Sequence, residues 1–338
     1  MDSVRPTLFV TGIALHSLGE RFLSIYLEHE PTAKVIGADL DPTPLSHPRL
    51  ATFSFDLNPL TCNSGYEGFA TALRVALSGG LDRMRERSIN CVVQSTGVYD
   101  FGRFLEHGVA RRVRTLGVNL LGHIETLHAV MSLNAACGFD NSAILTSIDI
   151  GSFQGLYARA ERPVYAPSKA AGIDFAGALF EGKEVARSLY FAPASIDTHM
   201  LHFNHWVKKA GGSEKLFSNV RGGDRHQYDA IFMRCDQRVL RNVAAACGLD
   251  PAEAEQTMLK YAEARKGAFA GSLGVLRVDT CARMLTALVR NPDHYPSGVY
   301  LAFAPYGAAP RLTEAGFREL SRLKLIEAIG RSEEWREE

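Results

Sequence analysis

The segment TLFVTGIALHSLGERF, residues 7 to 22, decides the fold because a glycine turn joins an apolar run to an amphipathic stretch. Residues 7 to 12 are apolar or β-branched without alternation, which is typical of a strand buried on both faces. Gly12 and Gly19 flank the turn, and the N–H groups that open the following helix could bind a pyrophosphate. An ordinary strand-to-helix turn accounts for the same glycines. The segment alone therefore predicts a strand, a turn and a helix.

The alternation of apolar runs and helical patterns continues through the first two hundred residues. Further apolar runs occur at residues 34–40, 89–97, 142–147 and 188–194. Helical patterns occur at residues 18–29, 66–87, 104–136 and 167–187. Parallel strands need crossover connections, and helices commonly supply them. The order predicts an α/β protein with a Rossmann-type doubly wound parallel sheet.

A different pattern begins after residue 198. Residues 199–270 hold no convincing strand, whereas residues 227–246 are helical in pattern. The sequence DPAE at 250–253 offers a capping aspartate, a first-turn proline and a capping-box glutamate. We expect residues 199–270 to form a helical insertion near the C-terminal part of the sheet.

The ordinary α/β pattern resumes after the insertion. A helix is predicted at residues 278–289 and a strand at 295–307. The dinucleotide-binding core would then comprise residues 1–198 and 271–311. Residues 312–338 predict a polar amphipathic helix that closes the chain.

Composition and charge narrow the classes of function. Basic and acidic residues number 37 each, and the isoelectric point is near 7.2. Balanced charge gives no field that attracts nucleic acid or an anionic membrane, so we expect neither as a partner. The N-terminus lacks a secretory pattern, and no run of 18 apolar residues occurs. Six cysteines without C-x-x-C spacing agree with a cytoplasmic protein that has reduced thiols.

The second apolar run ends at Asp39, in GADL. A carboxylate at this point can accept hydrogen bonds from both hydroxyls of an adenine ribose, and it repels a 2′-phosphate. The glycine turn contains no Arg or Lys that would hold that phosphate. The pattern therefore favours NAD over NADP, although Asp39 could equally begin the turn DLDPTP.

The sequence VYAPSKAAG, residues 164–172, places Tyr165 four residues before Lys169. On a helix these two side chains share a face. Lowering a phenol pKa from 10 to near 7 takes about 4 kcal/mol. A cation about 4 Å away at an effective dielectric constant near 20 supplies about that much. The pair is thus sufficient for a general acid and base, and Pro167 fits the first turn of a helix.

At these residues the sequence resembles the short-chain dehydrogenase/reductase family, over nearly the whole chain apart from the insertion. The family's YxxxK motif matches Tyr165 and Lys169, and VNLLG matches the helix that carries its catalytic asparagine, here Asn119. The resemblance implies hydride transfer between NAD and a secondary alcohol or ketone. Tyr165 would move the hydroxyl proton, Lys169 would lower the tyrosine pKa and bind the nicotinamide ribose, and Asn119 would hold a water.

The resemblance also implies which residues contact NAD. TGIALHSLG resembles TGxxxGxG with one inserted residue and Ser17 in place of a glycine, and SFDLNP resembles the adenine-binding segment. QSTG stands where the family has NNAG, and APASIDTHM resembles its PGxxxT stretch. The implied cofactor-binding residues are Thr11, Gly12, Leu18, Gly19, Asp39, Leu40, Asp56, Leu57, Gly97, Tyr165, Lys169, Pro193, Ile196 and Thr198.

A catalytic serine in this family would hydrogen-bond the substrate oxygen, and two serines fit. Ser147 ends the predicted strand ILTS, whereas Ser152 lies 13 residues before Tyr165. We expect Ser147 with a longer loop before Tyr165, and Ser152 as the alternative.

The resemblance implies a small-molecule alcohol or ketone as substrate, without specifying its structure. Phe203, His205 and Trp206 at the start of the insertion would line its pocket or pack the insertion against the sheet. Histidines three apart near this point lack a carboxylate, so we expect no metal. A sugar epimerase or dehydratase and a noncatalytic NAD-binding regulator stay open as other functions. By resemblance we expect a homodimer or homotetramer.

Overall fold

A computed structural model gives the fold of the chain. It describes residues 7–15, 17–63, 65–84, 88–99, 102–156, 160, 162–193, 196, 198, 278–292, 295–302 and 326–329. The predicted insertion, with Phe203, His205 and Trp206, lies outside the described residues.

Eight strands in the described residues form one parallel sheet. They are β1 (Thr7–Thr11), β2 (Lys34–Asp39), β3 (Leu50–Ser54), β4 (Cys91–Gln94), β5 (Thr146–Ile150), β6 (Arg187–Pro193), β7 (Gly298–Ala302) and β8 (Ile326–Ile329). Their order is β3-β2-β1-β4-β5-β6-β7-β8. Thr11 at the end of β1 pairs with Ala38 on one side and Gln94 on the other, where the strand order reverses. The predicted Rossmann-type doubly wound sheet is confirmed, and its ligand crevice is expected at this reversal.

Helices cover both faces of the sheet. They are α1 (Leu18–His29), α2 (Gly65–Met84), α3 (Val109–Leu116), α4 (Gly122–Ala136), the short α5 (Asn141–Ile144), α6 (Tyr165–Glu181) and α7 (Val278–Arg290). A π-helical turn, Gly117–Leu121, joins α3 to α4. Two apolar cores result: one packs Phe22 of α1 and Leu285 of α7 on the sheet, and the other packs Leu73 of α2 and Leu127 of α4.

An ion pair joins the two ends of the described core. Arg21 of α1 donates from Nε and Nη2 to the two carboxylate oxygens of Asp279 of α7, at 2.6 and 3.0 Å. Both side chains are more than a third exposed, so the pair adds at most about 1 kcal/mol to stability. The apolar contacts between α1 and α7 therefore contribute more to their packing than this ion pair does.

The predicted strand at 142–147 is wrong in position. Residues Asn141–Ile144 form α5, because Asp140 caps this turn by accepting a hydrogen bond from the N–H of Ser142. The strand therefore begins at Thr146 and ends at Ile150. Ser147 lies near the start of β5, and Ser152 follows its carboxyl end.

Two further strands were not predicted from the sequence. β3 has only partly buried residues and pairs with β2 alone among the described strands, so its apolar signal is weak. Residues Ile326–Ile329 form β8 where a helix is predicted, because IEAI pairs in parallel with the edge of β7. The remainder of the predicted C-terminal helix lies outside the described residues.

Candidate functional site

The turn between β1 and α1 has the close backbone packing of a dinucleotide-binding turn. Gly12 has φ of 75°, and a Cβ atom there would lie 2.4 Å from the carbonyl carbon of Ser95. A Cβ atom on Gly19 would lie 2.3 Å from the carbonyl oxygen of Gly12. Any side chain at either position would force the backbone to move. The two glycines therefore bring the start of α1 against the ends of β1 and β4.

Ser17 fills the place of the missing glycine. Its hydroxyl donates to the carbonyl oxygen of Gly12 at 2.9 Å and accepts from the N–H of Glu20 at 3.1 Å. The serine thus caps α1 and closes the turn. Leu18 and Gly19 form the first turn of α1, where the positive end of the helix dipole lies.

Asp39 borders the same turn. As the last residue of β2, it accepts hydrogen bonds from the N–H of Ala14 at 3.2 Å and of Asp41 at 3.1 Å. Leu40, the next residue, is 45% exposed. The structure therefore brings Asp39 and Leu40 to the glycine turn, on the side away from β4.

Asp56 and Leu57 follow β3 and have structural partners. Exposed Asp56 accepts from the N–H of Asn58 at 3.0 Å and from the hydroxyl of Thr61 at 2.9 Å. The carbonyl oxygen of buried Leu57 would lie 2.1 Å from a Cβ atom on Gly122. The loop thus packs tightly against α4, and adenine contact by these two residues stays a prediction.

Ser152 and Tyr165 meet at the carboxyl end of β5. Tyr165 is the first residue of α6, and the hydroxyl of Ser152 lies close enough to its phenol for a hydrogen-bond interaction that lowers the pKa of Tyr165. The N–H of Gln154 donates to the Ser152 hydroxyl oxygen at 3.1 Å, and the N–H of Ser152 donates to the Tyr190 phenol at 3.3 Å. These contacts fix the serine beside the tyrosine.

Ser147 lies elsewhere. It is buried within β5, in register with Val92 of β4 and Ser188 of β6. Three residues separate it from the end of β5, which is about 10 Å along a strand. The structure brings Ser152, and not the expected Ser147, to Tyr165.

Lys169 reaches the same end of the sheet. Its Nζ donates to the carbonyl oxygen of Ile150 at 3.0 Å, and a Cβ atom on Gly97 would lie 3.8 Å from Nζ. Gly97 of the loop after β4 therefore lies next to the ammonium. Burial lowers the pKa of Lys169 below its ordinary value, although the negative charge of Asp149 raises it in part.

The pKa of Tyr165 shifts in the direction opposite to the expectation. Burial raises it, and this effect exceeds the lowering by the hydrogen bond from Ser152 and by the charge of Arg162. Lys169 does not supply the expected lowering, because its ammonium lies at the Ile150 carbonyl and faces Asp149. The phenol is accordingly held in its protonated form in this structure.

Asn119 lies in the π-helical turn and is buried. Its side-chain oxygen accepts from the N–H of Val98 at 2.7 Å, and its Nδ2 donates to the Val98 carbonyl at 2.8 Å and to the Ser168 hydroxyl at 3.2 Å. The side chain therefore clamps the loop after β4 to α6. A π-helical turn often marks a functional position.

The implied nicotinamide-binding stretch is described only in part. Pro193 ends β6 and is buried, next to the ends of β5 and β7. The N–H of Thr198 donates to the carbonyl oxygen of Ile196 at 2.8 Å. Both follow the carboxyl end of β6, on the same edge of the sheet as Tyr165.

Several solved structures resemble this chain. An aldohexose dehydrogenase from Thermoplasma acidophilum aligns with 88% of this chain and 91% of its own, at 14% identity and a TM-score of 0.56. An alcohol dehydrogenase from Thermococcus sibiricus, complexed with 5-hydroxy-NADP, aligns with 90% of this chain and 99% of its own, at 13% identity and a TM-score of 0.55. A short chain dehydrogenase family protein from Francisella tularensis aligns with 88% of this chain and 96% of its own, at 14% identity and a TM-score of 0.53.

The chain has the fold of the short-chain dehydrogenases/reductases. No family profile and no curated protein matches the sequence. Identities this low establish the fold alone, so the chemistry must be argued from the site.

Within this fold the site has a buried ionic pair that the sequence did not reveal. His123 of α4 places Nδ1 3.0 Å from Oδ1 of Asp149 and Nε2 2.8 Å from the carbonyl oxygen of Thr96. Both ring nitrogens therefore lie within hydrogen-bond distance of an oxygen atom. Burial raises the pKa of Asp149, but the charge and hydrogen bond of His123 and the charge of Lys169 bring it below its ordinary value.

The pair of His123 and Asp149 lies close to the helix that carries Lys169, and the charge of Asp149 raises the pKa of Lys169. Asp149 is the penultimate residue of β5, and its Oδ2 would lie 2.9 Å from a Cβ atom on Gly172, one turn after Lys169. His123 lies four residues after Asn119, but nothing in the sequence links it to Asp149 across 26 residues. Only the pairing of β4 with β5 and the packing of α4 bring the two together.

Proposed function

We propose that the chain is an NAD(H)-dependent oxidoreductase of the short-chain dehydrogenase/reductase family that interconverts a secondary alcohol and a ketone. The observation that carries this proposal is the convergence of Ser152, Tyr165 and Lys169 at the carboxyl end of β5. A hydroxyl donor, a titratable phenol and a buried ammonium are the groups that alcohol oxidation and ketone reduction need at the reacting oxygen.

Each side chain has a definite task in this proposal. Ser152 donates a hydrogen bond to the substrate oxygen, while Tyr165 gives that oxygen a proton in reduction or takes one in oxidation. Burial keeps Tyr165 protonated, as reduction requires, and the Ser152 hydrogen bond and the Arg162 charge favour the phenolate that forms when the proton leaves. Lys169 holds the nicotinamide ribose. A bound nicotinamide would supply or accept the hydride.

The backbone around β1 fits a dinucleotide. Gly12 and Gly19 leave no room for a side chain and expose the first turn of α1, which would hold the pyrophosphate. Asp39 at the glycine turn favours NAD because its carboxylate repels a 2′-phosphate. The cofactor preference rests on this residue.

A second candidate is a noncatalytic NAD-binding regulator. Ser17 takes one N–H of the first turn of α1, and both carboxylate oxygens of Asp39 accept from backbone N–H groups. These contacts compete with the hydrogen bonds that a dinucleotide would make. They favour weak cofactor binding, while the Ser152, Tyr165 and Lys169 cluster favours catalysis.

Calorimetric titration with NAD and with NADP, followed by a screen of secondary alcohols and ketones for NADH absorbance change, tests the proposal. We expect NAD to bind more tightly than NADP, and at least one alcohol to be oxidised. Tyr165→Phe should abolish turnover and leave NAD affinity within a few fold. Tyr66→Phe, on the exposed face of α2, is the matched control. Binding of neither dinucleotide would end the proposal, and binding without turnover would select the regulator.

A further inference from the structure

Arg162 is a cation in the candidate site, and the proposed function assigns no cofactor or substrate group that its guanidinium binds. It lies three residues before Tyr165, the first residue of α6, and its carbonyl oxygen accepts from the N–H of Ala166 at 3.3 Å, so its backbone is tied to the first turn of that helix. Its position is therefore set by the same turn that positions Tyr165.

The guanidinium stacks on a ring that itself contacts the catalytic tyrosine. Its central carbon lies 5.2 Å from the centre of the Tyr99 ring. The Tyr99 ring lies 4.7 Å from the Tyr165 ring, at an interplanar angle of 52°. Tyr99 follows Gly97 in the loop after β4. This loop, the segment before α6 and the first residue of α6 together place the cation near the phenol of Tyr165.

Two of the three guanidinium nitrogens of Arg162 have no acceptor among the described residues. Nε and Nη1 of Arg162 are buried, and neither forms a hydrogen bond with any residue that the structure describes. Leaving buried donors of a charged group unpaired is costly, so such donors in a site indicate a ligand acceptor. An anionic acceptor fits best, because a guanidinium cannot lose its proton in proteins.

We infer that Arg162 binds a carboxylate of the substrate, which makes the substrate class hydroxy acids and the corresponding oxo acids. This inference rests on the proposed function. Ser152 and Tyr165 would hold the reacting oxygen, while Arg162 holds the carboxylate across the ring of Tyr99. One guanidinium balances one negative charge, which favours a carboxylate over a phosphate dianion. Planar guanidinium groups also match carboxylate geometry.

Paired substrates test the inference on the native chain. Hydroxy acids with the carboxylate one to three carbons from the hydroxyl carbon are compared with their methyl esters and with glycerol 3-phosphate, in the presence of NAD. We expect at least one acid to have a kcat/KM about 10- to 100-fold above that of its ester, the range that a charged hydrogen bond supplies. Equal values for acid and ester, or a preference for the phosphate, overturn the inference.

Variants locate the effect. Arg162→Met should lower kcat/KM for the acid by at least 10-fold more than for the ester, chiefly by raising the KM of the acid, with NAD affinity unchanged. The smaller loss with the ester measures the removal of the Arg162 charge from beside Tyr165. Arg162→Lys, which keeps the charge, should retain part of the preference. Arg74→Met, on the exposed face of α2, should change nothing. Equal losses for acid and ester in Arg162→Met would instead assign Arg162 to the electrostatics of Tyr165 and overturn the inference.

Calorimetry separates failure of the inference from failure of the proposed function. Butanoate is titrated into wild type and Arg162→Met, each with and without NADH. Butanoate binding that requires Arg162, in a chain that oxidises no alcohol, would support the carboxylate site while the oxidoreductase proposal fails. Turnover of neutral alcohols without any butanoate binding would sustain the oxidoreductase and reject the carboxylate site.

Discussion

A shift of a strand end by three residues decides which serine lies beside Tyr165. The hydroxyl of Ser152 lies close enough to the phenol of Tyr165 for a hydrogen-bond interaction, whereas Ser147 lies inside β5 between Val92 and Ser188. We expect Ser152→Ala to lower kcat by about 10²- to 10³-fold, the cost of losing one donor at a developing oxyanion. Ser147→Ala should stay within a few fold of wild type. Steady-state kinetics on both variants checks this, and a larger loss in Ser147→Ala would restore the original expectation.

The buried pair of His123 and Asp149 predicts a change in pH dependence. Asp149 raises the pKa of Lys169, which burial lowers. Asp149→Asn removes the negative charge, so the ammonium loses its proton at a lower pH. We expect the alkaline limb of the kcat/KM profile to move to lower pH, with NAD affinity falling over the same range.

The control for this prediction is Asp174→Asn, an exposed carboxylate on the same helix as Lys169. Its pH profile should match that of wild type. A uniform loss of activity in Asp149→Asn at every pH, with the alkaline limb in place, would mean that Asp149 serves packing alone.

The residue types of the site were predictable where their spacing is local. Tyr165 and Lys169 are four residues apart on one helix, and the structure brings both to the end of β5. Ser147 was preferred because ILTS looks like the end of a strand, but the cap at Asp140 starts a helical turn there. Asp149 and His123 carried no local signal, since only sheet pairing and the packing of α4 join them.

At the scale of elements, the contact between α1 and β1 depends on a missing side chain. A Cβ atom on Gly19 would lie 2.3 Å from the carbonyl oxygen of Gly12. We expect Gly19→Ala to cost about 1–3 kcal/mol of stability, the usual range for overpacking, and to weaken NAD binding because α1 is pushed from the turn. Chemical denaturation and calorimetry measure the two effects.

Gly79→Ala is the matched control for this prediction. Gly79 is an exposed glycine inside α2, and a Cβ atom there meets nothing within 4 Å. Alanine should raise stability by about 0.5–1 kcal/mol, since glycine is disfavoured inside helices. Similar effects of the two substitutions would refute the close packing described for Gly19.

The long elements with strong apolar patterns were predicted close to their observed bounds, and weak ones were missed. α1 was predicted at residues 18–29 and spans Leu18–His29, because its apolar face is regular and Ser17 caps its start. β3 is partly exposed, and β8 has four residues that only the edge of β7 organises. Strands like these are defined by their neighbours rather than by their own composition.

Among the described residues, an apolar stripe is exposed along α3. Val109, Val113 and Leu116 follow helical spacing along α3, and Leu105 just before α3 is 95% exposed. Contiguous apolar surface of this kind often marks a protein interface. We expect this stripe to pair with the same stripe of a second copy and form a homodimer.

Sedimentation analysis of Val113→Glu tests the dimer. We expect a dimer for wild type and a monomer for the variant, because two buried carboxylates would face each other across a symmetric interface. Val75→Glu, an equally simple exposed substitution on α2, should remain dimeric. A wild-type monomer at micromolar concentration would dismiss the stripe as an interface.

Among the described helices, none is long and apolar enough to cross a membrane.

The ion pair between Arg21 and Asp279 spans 258 residues of sequence, and the apolar sides of α1 and α7 cover one another. A ribosome adding about 5–20 residues per second needs on the order of tens of seconds to pass from one to the other. Throughout that interval, Phe22 and its apolar neighbours on α1 cannot pack against α7, which has not yet been synthesised. α1 therefore cannot finish packing until α7 leaves the exit tunnel, so the glycine turn at the start of α1 reaches its final packing late in translation or after it.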